Sequence, residues 1–251
     1  MADRQAEAWL APPSLFSLSQ GDVQVWRASL ERTQAEREAL WRFLAPGERA
    51  RAERFRFDIH RHYYIVGRGL LRLLIGSYLS LPPTEIQFAY SRYDKPSLVN
   101  EPAFCFNVSH SQGKLLIGFT WGMALGVDIE QVRTLDDMDA IARRFFSEAE
   151  NLDYARVPAA LRPEAFFNCW TRKEAFIKAV GEGLSFPLNE FDVTLRPGEK
   201  AVLRQVRGSV DEAARWSMRT LNPFSGYRGA LVWQGGQMAC TFWDGDAMQV
   251  F

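Results

Sequence analysis

Over residues 125–130 apolar and polar positions alternate. In an extended strand Leu125, Val127 and Ile129 share one face, and Gly126, Asp128 and Glu130 the other. Comparable short runs predict strands near 86–91, 104–108, 114–120, 190–196, 200–206, 214–221, 227–234 and 237–243. Helices are predicted near 35–43, 47–56, 60–79, 136–145, 147–155 and 163–180. The most apolar run, YYIVGRGLLRLLIGSYL, contains Arg68 and Arg72 and reads as a core helix rather than a membrane span.

A weak repeat overlies this pattern. PPTEIQF (82–88) and PLNEFDV (187–193) share Pro-x-x-Glu-apolar-polar-apolar. Each follows a long helical stretch ending at a glycine and precedes two strands separated by small residues. The predicted fold is therefore α+β, with two similar halves: 1–124, contributing substrate contacts, and 125–251, carrying the acids.

Composition narrows the class. The 251 residues suffice for a substantial core, and 30 basic residues balance 30 acidic ones, so no global charge points to nucleic acid or membrane. Three well-separated cysteines with no Cys-x-x-Cys argue against a disulfide framework or zinc cluster and suit a reducing cytoplasm. The N-terminal stretch, acidic and broken by Pro12-Pro13, does not read as a secretory signal.

Candidate chemistry gathers at four places. Asp128 and Glu130 are like charges on one strand face and call for a cation between them. In WTRKEAFIKAVGEG a helix puts Trp170, Glu174 and Lys178 on one face; the same spacing also suits a solvated Glu–Lys pair. Three carboxylates without His or Cys favour Mg²⁺, or Mn²⁺, over zinc. In FNVSHSQGK, the residues Asn107, Ser109, His110 and Ser111 are expected at a turn able to hold phosphate, although an ordinary polar turn reads the same way. Finally Arg92, Lys95 and Pro96, with the Arg-rich segment GERARAERFRF, suit phosphate binding, a solvated helix face or an RNA surface.

GVDIE, WTRKEAFIKAVGEGLSFPL, FNVSHS and KPSL, in this order of chemistry, together resemble the motifs of the surfactin-synthetase type of 4'-phosphopantetheinyl transferase, over about Arg51 to Val193. The resemblance implies a monomeric pseudo-dimer of two related α/β halves. It implies transfer of the 4'-phosphopantetheine of coenzyme A to a serine of an apo acyl or peptidyl carrier protein, releasing adenosine 3',5'-bisphosphate. It implies Mg²⁺ at Asp128, Glu130 and Glu174, and Lys178 on the pyrophosphate. Arg51, Arg92, Lys95 and Pro96 would hold the 3'-phosphate and adenine region, with Asn107, Ser109 and His110 lining the nucleotide. Glu174, Lys178 and His110 form the implied catalytic set, Asp128 also facing coenzyme A through the metal, and Glu150 is a further acid near it. Glu48 departs from relatives that have a lysine there. Ile141, Phe145 and Phe146, beside Arg143 and Arg144, are the candidate carrier-docking surface. The rival activities are a Mg²⁺-dependent phosphohydrolase and an RNA-binding module using Arg49 to Arg72.

Overall fold

The computed structural model describes residues 7–248; residues 1–6, where the N-terminal reading begins, lie outside them. In chain order the elements are β1 (Trp9–Leu10), β2 (Asp22–Ser29), α1 (Gln34–Phe43), α2 (Pro46–Glu53), α3 (Asp58–Leu79), β3 (Phe88–Tyr90), β4 (Pro96–Leu98), β5 (Phe104–Ser111), β6 (Lys114–Trp121) and β7 (Leu125–Gln131). There follow α4 (Met138–Phe145), α5 (Glu148–Ala155), α6 (Arg162–Val180), β8 (Phe191–Val193), β9 (Leu203–Val206), α7 (Val210–Ala214), β10 (Trp216–Leu221), β11 (Tyr227–Gln234) and β12 (Ala239–Asp244).

One unit occurs twice. In the first copy antiparallel β2, β6 and β5 are neighbours in that order; in the second, β7, β11 and β10 are. Each copy has a long helix, α3 or α6, then a 3-10 turn (Pro83–Glu85 or Leu188–Glu190) and a small two-stranded ladder, β3–β4 or β8–β9. The two Pro-x-x-Glu segments are these turns. The expected α+β duplication is the architecture observed.

The copies are not separate bodies. β12, from the end of the chain, lies parallel to β2 and carries β1 on its outer edge. Between the two sheets Val23, Val25 and Leu116 meet Leu125, Val127, Ile129 and Leu231 in one apolar cluster. Separate cores lie under α3 and under α6. Among the described residues no helix is long and apolar enough to cross a membrane.

Several elements differ from the sequence reading, which has neither β1 nor α7. β2 was absent from it because this central strand is buried on both faces and interleaves Val23 and Val25 with Gln24 and Trp26, which blurs the alternation. β4 is the KPSL segment, whose proline occupies the strand's first position, where a missing donor is tolerated. Asn107 to Ser111 belong to β5 itself, and the turn is only Gln112-Gly113, where φ reaches +44° and +77°.

Local signals fix the helix that carries the site. Pro163 opens α6, and Gly181 closes it at φ +85°, its N–H bonding the Ile177 carbonyl. A Cβ on Gly126 would come 2.0 Å from the Ala175 carbonyl oxygen, so this glycine lets α6 lie directly on β7.

Candidate active site

β7 is an edge strand: β11 pairs with one side, and side chains of β5 serve the other. Asn107 Oδ1 accepts the Val127 N–H at 2.8 Å, and Ser109 Oγ accepts that of Ile129 at 3.4 Å. Both β5 residues are buried, and they satisfy edge amides that would otherwise be orphaned.

Ser109 does more. Its hydroxyl donates to Asp128 Oδ1 at 2.8 Å and accepts from Lys178 Nζ at 3.0 Å. The ammonium of Lys178 in turn lies 2.6 Å from the same carboxylate oxygen. One donor and two acceptor positions exhaust the hydroxyl. Two residues along each strand, Ser111 Oγ donates to Glu130 Oε2 at 2.6 Å.

Negative charge is in excess here. Asp128 Oδ2 is buried and has no hydrogen-bond partner. Burial first, then the Asp128 charge, with Glu130 adding and Lys178 opposing, pushes the Glu174 carboxyl up to about 7. Burial also raises Glu130, with Asp128 reinforcing it and Ser111 and nearby cations opposing. Among the described residues no three His, Cys, Asp or Glu side chains are gathered around a single point in the way a bound metal ion requires. The donor set nevertheless fits a divalent cation: all-oxygen, one buried oxygen unpartnered, and Glu130 and Glu174 within electrostatic reach of Asp128 and its ammonium partner Lys178.

Partial burial and then the Lys178 ammonium lower the His110 imidazole, which alternates to the solvent-accessible side of β5. Pro96 lines a cleft of about 670 Å³ with Lys95, Phe106, Leu125 and Gly181. Arg51 and Arg92 are exposed, their guanidinium carbons 5.3 Å and 4.5 Å over the Tyr64 and Tyr93 rings.

Several expectations need correction. Asn107 and Ser109 are not in an open phosphate-binding turn; they are buried in strand β5 and committed to β7. Lys95 does not present a free charge: its ammonium donates to the Lys178, Ala179 and Leu125 carbonyls at 2.6, 3.0 and 3.4 Å. Glu150 is fully buried, 2.7 Å from the ammonium of fully buried Lys173, and accepts from the N–H groups of Ser147 and Val193. It fastens α5 to β8 rather than lying beside Asp128. Phe146 packs in the core 5.4 Å from Phe166, and Ile141 and Phe145 are half-buried against that core, leaving Arg143 and Arg144 exposed. Glu48, which stands where some relatives have a lysine, pairs with Arg68 and, at 2.6 Å, with buried Arg72.

Ser111, expected with Asn107, Ser109 and His110 at a phosphate-holding turn, instead ends β5 and donates to Glu130. Strand periodicity would have supplied this pairing, since Ser109 and Ser111 stand two apart on one face as Asp128 and Glu130 do.

Known proteins share these segments. Residues 124–232 match the sequence profile of the 4'-phosphopantetheinyl transferase superfamily, and residues 26–118 that of the 4'-phosphopantetheinyl transferase N-terminal region. The chain is 33% identical to the 4'-phosphopantetheinyl transferase HetI of Nostoc over 94% of its own length and 97% of that protein. It is 39% identical to a 4'-phosphopantetheinyl transferase of Bacillus pumilus over 66% of this chain and 70% of that one. With the 4'-phosphopantetheinyl transferase Sfp of Bacillus subtilis it shares 33% identity over 65% and 71% of the two chains.

Proposed function

Because the chain belongs to the 4'-phosphopantetheinyl transferase superfamily, we propose that it moves the 4'-phosphopantetheine of coenzyme A onto a serine of an apo acyl or peptidyl carrier protein, with Mg²⁺ required. The observation that carries this reading is the excess of carboxylate around Lys178: an unpartnered Asp128 oxygen beside a Glu174 whose carboxyl sits near 7. Asp128, Glu130 and Glu174 would hold the cation, which supplies charge neutralisation on a diphosphate when bound.

The residues perform the remaining steps. Lys178 has three N–H donors, of which Asp128 and Ser109 take two, so the third is available to the diphosphate. Ser109 and Asp128, hydrogen-bonded to each other, both engage its ammonium against the strand. Glu174, half-buried on α6 one helical turn before Lys178, accepts the proton of the incoming serine as the serine oxygen bonds to the pantetheine-bearing phosphorus. The bond from that phosphorus to the bridging oxygen breaks, and adenosine 3',5'-bisphosphate leaves. Exposed Arg51 and Arg92, with His110, provide the cationic and polar contacts for the 3'-phosphate and adenosine, and Pro96 lines the adjoining cleft. The protein acts in the cytoplasm as a monomer whose internal duplication replaces a dimer.

The test is to incubate the protein with coenzyme A, Mg²⁺ and an apo carrier and to weigh the carrier. A gain of one phosphopantetheine supports the reading. Release of phosphopantetheine into solution, with the carrier unchanged, would instead mark a phosphohydrolase.

A further inference from the structure

Lys95 precedes β4, yet its ammonium reaches across to two other elements. The Lys178 and Ala179 carbonyls belong to the last turn of α6, where helix geometry leaves oxygens without intrahelical donors. A cation there also meets the negative end of the helix dipole. The third acceptor, the Leu125 carbonyl, opens β7 three residues before Asp128. Its path is shaped for it: a Cβ on Gly181 would stand 3.1 Å from Lys95 Cδ. Three acceptors use all three donors of the ammonium, and no carboxylate accepts from it among the described residues.

We propose that Lys95 is a positioning residue that fastens the C-terminal turn of α6 to the start of β7, and so holds Lys178 against Asp128, rather than contacting the nucleotide. The consequence for catalysis rests on the transferase reading above; the consequence for the helix does not.

Lys95→Met keeps the stem and removes the donors. In the metal-free protein, hydrogen exchange of backbone amides 177–181 should quicken about tenfold or more, with α3 unchanged. In the transferase assay kcat should fall about tenfold or more, with KM for coenzyme A changed by less than about threefold. The loss should be equal for dephospho-coenzyme A, and should shrink to less than about threefold in a Lys178→Met background, where there is no ammonium left to position. Unchanged exchange at 177–181 overturns the proposal, as does a KM rise confined to coenzyme A or an undiminished loss beside Lys178→Met. If the wild type transfers nothing, the transferase reading fails while the exchange measurement still decides the role of Lys95. Should Met not fold there, Lys95→Gln, which keeps one amide donor and no charge, carries the same test with the same signs.

Discussion

The two copies of the fold use the same strand–helix junction for opposite purposes. Matching the eight-residue strands β6 and β11 end to end aligns Trp26, opposite Ile117, with Asp128, opposite Ala230. Ala28, opposite Leu115, then falls where Glu130 stands opposite Arg228. From the last turn of the long helix, Tyr78 reaches Trp26 in the first copy and Lys178 reaches Asp128 in the second. The first junction is closed: Trp26 Nε1 donates to the Tyr78 hydroxyl at 2.8 Å, which donates to Gln24, and stacked Phe16 covers the indole. The second is left with an unpartnered oxygen and a carboxyl whose ionised form is disfavoured. One scaffold thus devotes one junction to packing and the other to charge, and only the second holds groups that gain by binding a cation or phosphate.

The largest expected effect breaks the charged side alone. Asp128→Ala or Glu174→Gln should cut kcat by roughly 10²–10⁴-fold, the usual worth of a positioned base or a preorganised charge. If Glu174 serves only as a metal ligand, raising Mg²⁺ should restore the rate of Glu174→Gln. If it also takes the serine proton, as proposed, the rate stays low at saturating Mg²⁺. Recovery to near wild-type kcat would remove Glu174 as the base, and full activity in excess chelator with verified absence of metal would remove the cation.

Next in size is the packed side. Trp26 is 1% exposed in the core under α3, so Trp26→Ala should cost about 3–5 kcal/mol in chemical denaturation. Where the variant remains folded, kcat should change by less than about threefold, because Asp128, Glu130, Glu174 and Lys178 lie on β7 and α6, and β6 separates β2 from the β5 serines that engage Asp128 and Glu130. A loss of stability below about 1 kcal/mol would show that the first junction is not the packed counterpart described.

A smaller effect reads the electrostatic cost itself. A carboxyl held near 7 when folded and near 4.5 when unfolded binds its proton more tightly in the folded state. Stability therefore falls as pH rises from 4.5 towards 7 and levels off above. Glu174→Gln removes this cost, so the metal-free variant should gain about 1–2 kcal/mol over wild type at pH 8 and nothing at pH 4. Saturating Mg²⁺ should shrink or reverse the gain, since a cation stabilises the ionised acid only in the wild type. Thermal unfolding at the two pH values, with and without Mg²⁺, measures it.

How far the site was legible follows from what each residue touches. Asp128, Glu130, Glu174 and Lys178 could be placed on faces from periods of two and four within single elements, and α6 against β7 brings those faces together through Gly126. Periodicity carries no information on which distant backbone a long side chain will satisfy, which is why the engagement of Lys95 with the end of α6 was invisible. Glu150 was different. Ser147 and Glu150 form the Ser-x-x-Glu box of a helix start, a local signal that already offered this acid a structural role. For β2, burial on both faces erased the alternation that exposed strands display.

The smallest expected effect tests whether charge extends from the second junction into the first copy. Arg51 is exposed on α2, and its guanidinium carbon lies 5.3 Å over the Tyr64 ring, which orients the cation without neutralising it. Neighbouring Glu48 does not neutralise it either, being engaged by Arg68 and Arg72. An exposed charge-assisted contact to phosphate contributes little after solvent screening, so Arg51→Ala should raise KM for coenzyme A by about three- to tenfold and leave kcat near wild type. Dephospho-coenzyme A, lacking the 3'-phosphate, should be affected by less than twofold, and the difference between the two substrates should narrow as ionic strength rises. Equal losses for both substrates would place Arg51 outside the nucleotide contacts and confine the charged chemistry to the junction of β5, β7 and α6.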